Sequence, residues 1–215
     1  GHLLIIGMAH RGPTVVLQLV AAEELKVFAS SKVATGRGFI SRHDPVLACK
    51  GDVVMSIGSK GPGQPVRTPD GFPGNKGVVA PNQGKLVAIW HVDIPSDEPE
   101  GVIQLATLGG RQGLTVESLH SVPKVLSLDA VGNQDGIWIA WVQPGSRPLS
   151  TETYRMCWPD GEVEQLKTGN MLPRTIRFAL DVDMKTTVPG LIITTLDDEA
   201  VAVGADGSIL GAIGG

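Results

Sequence analysis

The fold is decided by residues 124–168, which read KVLSLDAVGNQDGIWIAWVQPGSRPLSTETYRMCWPDGEVEQLKT. Val125–Ala130 is a short aliphatic run, and Ile137–Val142 is an almost unbroken apolar run that contains two tryptophans. Turn-forming residues at 132–136 separate the two runs. An apolar run of strand length predicts a strand that is covered on both faces.

The second half of the stretch predicts two more strands. A loop at 143–150, with two prolines and one glycine, leads to Thr151–Trp158, where bulky apolar residues alternate with other residues at a period of two. Pro159-Asp160-Gly161 is a turn sequence. The last run, Glu162–Thr168, has only two apolar residues. Such a run is typical of an exposed edge strand, because charge on an edge discourages pairing with other chains.

Similar sets of four strands precede and follow this stretch. The first strands are predicted to begin near residues 77, 125 and 175, so the spacings are 48 and 50 residues. Four-stranded propeller blades recur at intervals of about 40 to 50 residues. The recurrence resembles the β-propeller superfamily in general, without the signature residues of any one family. The resemblance implies an all-β fold, a β-propeller-like array of four-stranded antiparallel sheets.

A β-sandwich, or another pair of stacked antiparallel sheets, is the alternative, because many short strands with turn signals also suit that class. The chain has 215 residues, and its 28 glycines and 15 prolines lie mostly between apolar runs. We expect a single all-β domain over residues 1–215. It would form four to five blades, or part of a larger propeller.

Composition argues against several classes of partner. The formal charge is −4 and there is no basic cluster, so we expect no nucleic acid. No apolar run approaches the ~20 residues that span a bilayer, so we expect no membrane. No metal-ligand or phosphate-loop motif occurs, and we expect neither a metal nor another cofactor. Cys49 and Cys157 lack a C-x-x-C spacing and leave the compartment open.

Five residues are candidates for catalysis. His91 ends a predicted buried strand and Asp93 follows on the same side, a spacing that suits a histidine–carboxylate pair. Asp181 and Asp183 are also two residues apart, as hydrolytic carboxylate pairs require. His43 follows a glycine-rich loop, where β scaffolds often carry sites. Solvated turn residues are the alternative interpretation of each.

Candidate binding residues are Arg42 and His43 in that loop region, and Trp158 beside a turn. We interpret the chain as a noncatalytic interaction or scaffold module that binds a protein or a glycan through loops, including 58–76 and 92–100. The first alternative is a propeller-type hydrolase or lyase that acts on carbohydrate. The second is a structural subunit of a larger assembly, which is compatible with an oligomer.

Overall fold

The structure, a computed structural model, describes a defined part of the chain. The described residues are 2–8, 14–21, 26–34, 38–40, 46–50, 53–58, 61–62, 66–67, 69, 72, 77–83, 85–96, 100–108, 115–169, 171–179 and 188–213. They fall into two compact units, Gly1–Asn75 and Lys76–Gly215. The single domain expected over 1–215 stays a prediction. Among the described residues, no helix has the length and apolar character needed to cross a membrane.

The first unit contains two antiparallel sheets. Its strands are β1 His2–Met8, β2 Thr14–Ala21, β3 Lys26–Ala34, β4 Gly38–Ile40, β5 Val46–Lys50, β6 Val53–Gly58, β7 Gly61–Pro62 and β8 Val66–Arg67. The sheet orders are β1-β2-β3 and β4-β5-β6-β7, with β8 also paired to β6. Segment 58–76, predicted as a loop, therefore contains two strands of two residues each.

The second unit contains three four-stranded antiparallel sheets. Their strands are β9 Val78–Asn82, β10 Lys85–Ile94, β11 Glu100–Leu108, β12 Val116–Ser121, β13 Ser127–Gly132, β14 Ile137–Pro144, β15 Thr151–Trp158, β16 Glu164–Leu166, β17 Pro173–Phe178, β18 Leu191–Thr195, β19 Ala200–Val203 and β20 Ile209–Ala212. We call β9–β12 the first sheet, β13–β16 the middle sheet and β17–β20 the last sheet. In each, every strand pairs with the next along the chain. The prediction of four-stranded antiparallel sheets is confirmed.

The surroundings of strand β14 explain why its sequence is apolar from Ile137 to Val142. Ile137, Ile139 and Trp141 join an apolar cluster with residues of the first sheet. Ala140 and Val142, on the opposite face of the strand, join a second cluster with residues of the last sheet. Because neighbouring residues of a strand point to opposite faces, a strand between two sheets is apolar at nearly every position.

The first strands of the three sheets are neighbours, since β13 contacts both β9 and β17. Two side chains of β13 accept hydrogen bonds from the backbone of β17: Ser127 Oγ from Ile176 N at 3.1 Å, and Asp129 Oδ2 from Phe178 N at 2.8 Å. Both pairs are 49 residues apart, so the sequence repeat is also the spatial repeat. Four-stranded sheets that succeed one another with neighbouring first strands have the arrangement of propeller blades.

The strand directions give the second unit two distinct ends. Leu126 N donates to Val142 O, and Leu196 N donates to Leu172 O. These bonds place the connections between sheets at the end where hairpins β10–β11, β14–β15 and β18–β19 turn. We call this the hairpin end. The β9–β10, β13–β14 and β15–β16 connections lie at the opposite end.

We predict that Asp129→Ala lowers the free energy of unfolding by about 1–3 kcal/mol, because the buried Phe178 N–H loses its acceptor. Asp129→Asn keeps one acceptor oxygen and should cost less. Urea unfolding measures both. The control is Asp160→Ala in an exposed turn, which should change stability by no more than about 0.5 kcal/mol. Equal losses for Asp129→Ala and Asp160→Ala would contradict the role of this bond between sheets.

Candidate functional site

His91 lies at the hairpin end and is held by the backbone. Its Nε2 is 2.8 Å from Val122 O. Because a carbonyl oxygen only accepts, Nε2 carries the proton, which leaves Nδ1 as the free ring nitrogen. Nδ1 lies 3.6 Å from Asp93 Oδ1, which is beyond hydrogen-bond distance, so the two form an ion pair only when His91 is protonated. The side chain of His91 is 9% exposed and that of Asp93 is 77% exposed.

This contact requires a glycine at position 101. A Cβ at Gly101 would lie 2.3 Å from His91 Nε2 and 2.7 Å from Val122 O. Gly101 O also accepts a hydrogen bond from Val122 N at 2.9 Å. The hydrogen bond of His91 thus links hairpin β10–β11 to the connection between the first and middle sheets. Its predicted catalytic role, and that of Asp93, stay predictions.

We predict that Gly101→Ala destabilises the protein by about 1–3 kcal/mol, because the added methyl group overpacks the site against a ring and a backbone oxygen. Thermal unfolding followed by circular dichroism measures the change. Gly190→Ala is the matched control, since its Cβ would meet Val203 O at an ordinary 3.4 Å. If the two variants unfold at the same temperature, His91 is not packed against Gly101.

A row of aromatic side chains joins the first and middle sheets. His91 and His120 both pair in register with Ile103, so they lie in one row across β10, β11 and β12. The His120 ring is 5.6 Å from the ring of Trp141. Trp141 is stacked at 5.6 Å on Tyr154 of the next strand.

Hydrogen bonds to two polar side chains complete this row. Trp141 Nε1 donates to Gln143 Oε1 at 3.1 Å. Tyr154 Oη donates to Glu152 Oε2 at 2.7 Å. Burial, followed by the hydrogen bond to Glu152 and the negative charge of that group, raises the pKa of Tyr154 from 10.0 to about 12. Tyr154 is therefore a neutral hydrogen-bond donor at physiological pH.

We predict that Tyr154, the only tyrosine of the chain, titrates with a pKa of about 12 in the folded protein. The ultraviolet absorbance of the phenolate reports it directly. Because this pKa is raised on folding, the group contributes stability that is fully present below pH 10.0 and lost as the pH rises towards 12. Glu152→Gln should lower the pKa, whereas Glu162→Gln at the opposite end should not. An unchanged midpoint in Glu152→Gln would contradict this account.

Among the remaining candidates, the structure describes only Trp158. Arg42, His43, Asp181 and Asp183 lie outside the described residues. Trp158 is half-buried at the end opposite His91, where its Nε1 donates to Glu117 Oε2 at 3.2 Å. The described candidates thus do not form one pocket.

The described residues contain no group of three or more His, Cys, Asp or Glu side chains that could hold a metal ion. The expectations about metals and cofactors stay predictions.

A set of exposed apolar residues lies at the hairpin end and was not predicted from the sequence. Each hairpin there carries one: Ile94 (43% exposed), Leu149 (93%) and Leu196 (52%). Leu126, in the connection before β13, adds a fourth at 45%. Isolated apolar residues in turns have no periodicity, and the three on the hairpins do not recur at the 49-residue spacing of the repeat, so no pattern in the sequence indicated them.

Leu149 is held outward by an ordered turn. Its φ is 61°, a left-handed conformation that is unusual for a large side chain. Ser150 N and Oγ donate to Arg147 O at 3.1 and 2.7 Å, and Gly145 N donates to Ser150 O at 2.8 Å. Backbone strain of this kind persists only where the surroundings fix it, and it is commonest at functional positions.

The chain was compared with known protein families, curated proteins and solved structures. No protein-family model matches the chain. No curated protein matches it either. A solved structure of a streptogramin B lyase is similar at 10% identity, covering 99% of this chain and 80% of that chain, with a TM-score of 0.45. A likeness this weak carries no argument, so the array of propeller blades rests on the strand order, register and packing described above.

Proposed function

We propose that the chain is a noncatalytic interaction module and that its partner docks on the hairpin end of the second unit. The observation that carries the proposal is the repeated exposure of one large apolar side chain on each of three hairpins at that end. Contiguous exposed apolar surface marks interaction sites, and a large apolar residue on each hairpin of one end supports such a surface there. Of the two partner classes predicted from sequence, apolar tips favour a protein over a glycan.

Leu149 supplies the sharpest support. At 93% exposure it buries almost no surface within the chain, and its left-handed backbone costs about 1–2 kcal/mol. Stability within the chain therefore does not explain a leucine at this position. Apolar contact with a partner does, because a preformed turn presents the side chain without further ordering on binding.

We predict that Leu149→Asn binds a protein partner less tightly without losing stability. Asparagine tolerates the left-handed conformation, so the free energy of unfolding should stay constant or rise by about 1 kcal/mol. Peptides selected from a displayed random library on the purified wild-type chain serve as probes. Their dissociation constants should rise at least about tenfold in Leu149→Asn and in Leu196→Ser.

Val116→Ser is the matched control, since Val116 is 42% exposed at the opposite end. It should leave peptide binding unchanged. Peptides that bind all variants equally would overturn the proposed docking surface. Binding to a glycan array that survives Leu149→Asn would instead support the glycan partner.

The enzymatic alternative, a carbohydrate-active hydrolase or lyase, rests on the 3.6 Å separation of His91 and Asp93. Asp93→Asn tests it, because Asp93 is exposed and its replacement should not affect folding. Activity on a polysaccharide panel that disappears in this variant, at an unchanged unfolding temperature, would favour the enzyme.

A further inference from the structure

The outermost strand of the last sheet is an unusual edge. All four residues of β20 are exposed. Leu210 is 70% exposed, Ile209 is 44% exposed, and Ile213 directly after the strand is 45% exposed. A bulge leaves Leu210 out of the ladder, since Val203 pairs with Ile209 and Ala202 pairs with Gly211. Residues 207–213 carry no charged side chain.

The outer strands of the other two sheets differ in this respect. β12 carries Glu117, and β16 carries Glu164, which is paired with Arg155. Charged residues on outer strands discourage edge-to-edge pairing. Among the outer strands of the second unit, β20 alone lacks this protection.

We infer that β20 is a self-association edge and that its partner is β20 of a second copy of this chain. A twofold axis would pair the strands antiparallel, so each strand would lie opposite its own sequence. The same pairing of β12 or β16 would place a glutamate of each copy at the shared edge, where like charges are unfavourable. For β20 it brings only apolar side chains together and covers Ile209 and Leu210.

The contact is small. Four residues of strand cannot bury the roughly 1,200 Å² typical of stable complexes, so the dimer is weak and dependent on concentration. Backbone hydrogen bonds between the two β20 strands would fix how the copies are aligned. The side chains of Ile209, Leu210 and Ile213 would contribute most of the surface removed from water.

Sedimentation velocity of the full chain over a range of concentrations tests the inference. The average mass should rise from that of one chain towards that of two. Leu210→Lys should raise the dissociation constant at least about tenfold, because each copy would then carry a charge on the edge that has to pair. Leu149→Lys, at a still more exposed leucine of the hairpin end, should leave it unchanged.

Hydrogen exchange at low and high concentration gives a second readout. Amides of β20 should become protected at high concentration, whereas those of β16 should not. A monomer at every concentration, growth beyond two chains, or a dimer disrupted by Leu149→Lys but not by Leu210→Lys would each overturn the inference. The last result would place self-association at the hairpin end, and peptide binding remains a separate test of that surface.

Discussion

The second unit depends on one constraint: its middle sheet is buried on both faces by different neighbours. Strand β14 satisfies this constraint by alternating between two apolar clusters, with Ile139 and Trp141 on one face and Ala140 and Val142 on the other. At roughly 25 cal/mol per Å² of apolar surface removed from water, such a strand supplies much of the stabilisation of both interfaces. The outer strands can therefore contain polar residues, and β16, with exposed Glu164 and Gln165, is an example.

This constraint explains what could be predicted from sequence. A strand covered on two faces must be an unbroken apolar run, whereas a strand at the rim must be polar. Both kinds of strand can therefore be predicted from the sequence of residues 124–168. Thr151–Trp158 was predicted with the bounds that the structure gives, and the fourth strand was found but is shorter, at Glu164–Leu166. The turn at 132–136 was also predicted correctly from its residue types. Asn133 Oδ1 accepts hydrogen bonds from the N–H groups of Asp135 and Gly136 there.

The residues of the candidate site were much harder to predict from the sequence. The carbonyl that holds His91 belongs to Val122, which is 31 residues away, and no local pattern indicates such a contact. Leu149 lies between a proline and a serine in a turn, where a single leucine carries no periodic signal. Its exposure and left-handed backbone arise from the hydrogen bonds around it. Sequence patterns thus identified the scaffold, whereas the residues at the hairpin end are defined by contacts between strands far apart in the chain.

The two interfaces of the middle sheet are also unequal in polarity. Among the described residues, five of the six buried side-chain atoms that lack a hydrogen-bond partner belong to faces directed at the interface between the middle and last sheets: Trp138 Nε1, Thr151 Oγ1, Thr153 Oγ1, Arg155 Nη1 and Thr195 Oγ1. Burying a polar atom without a hydrogen-bond partner is unfavourable.

Specific bonds offset part of that cost. Arg155 Nη2 donates to Ala205 O at 2.8 Å, and Asp129 accepts from Phe178 N. The last sheet is therefore attached by a few directional bonds as well as by apolar burial. It is also the sheet whose outer strand lacks charge. Pairing of β20 with a second copy would add contacts to the sheet whose interface contains most of these unpartnered buried atoms.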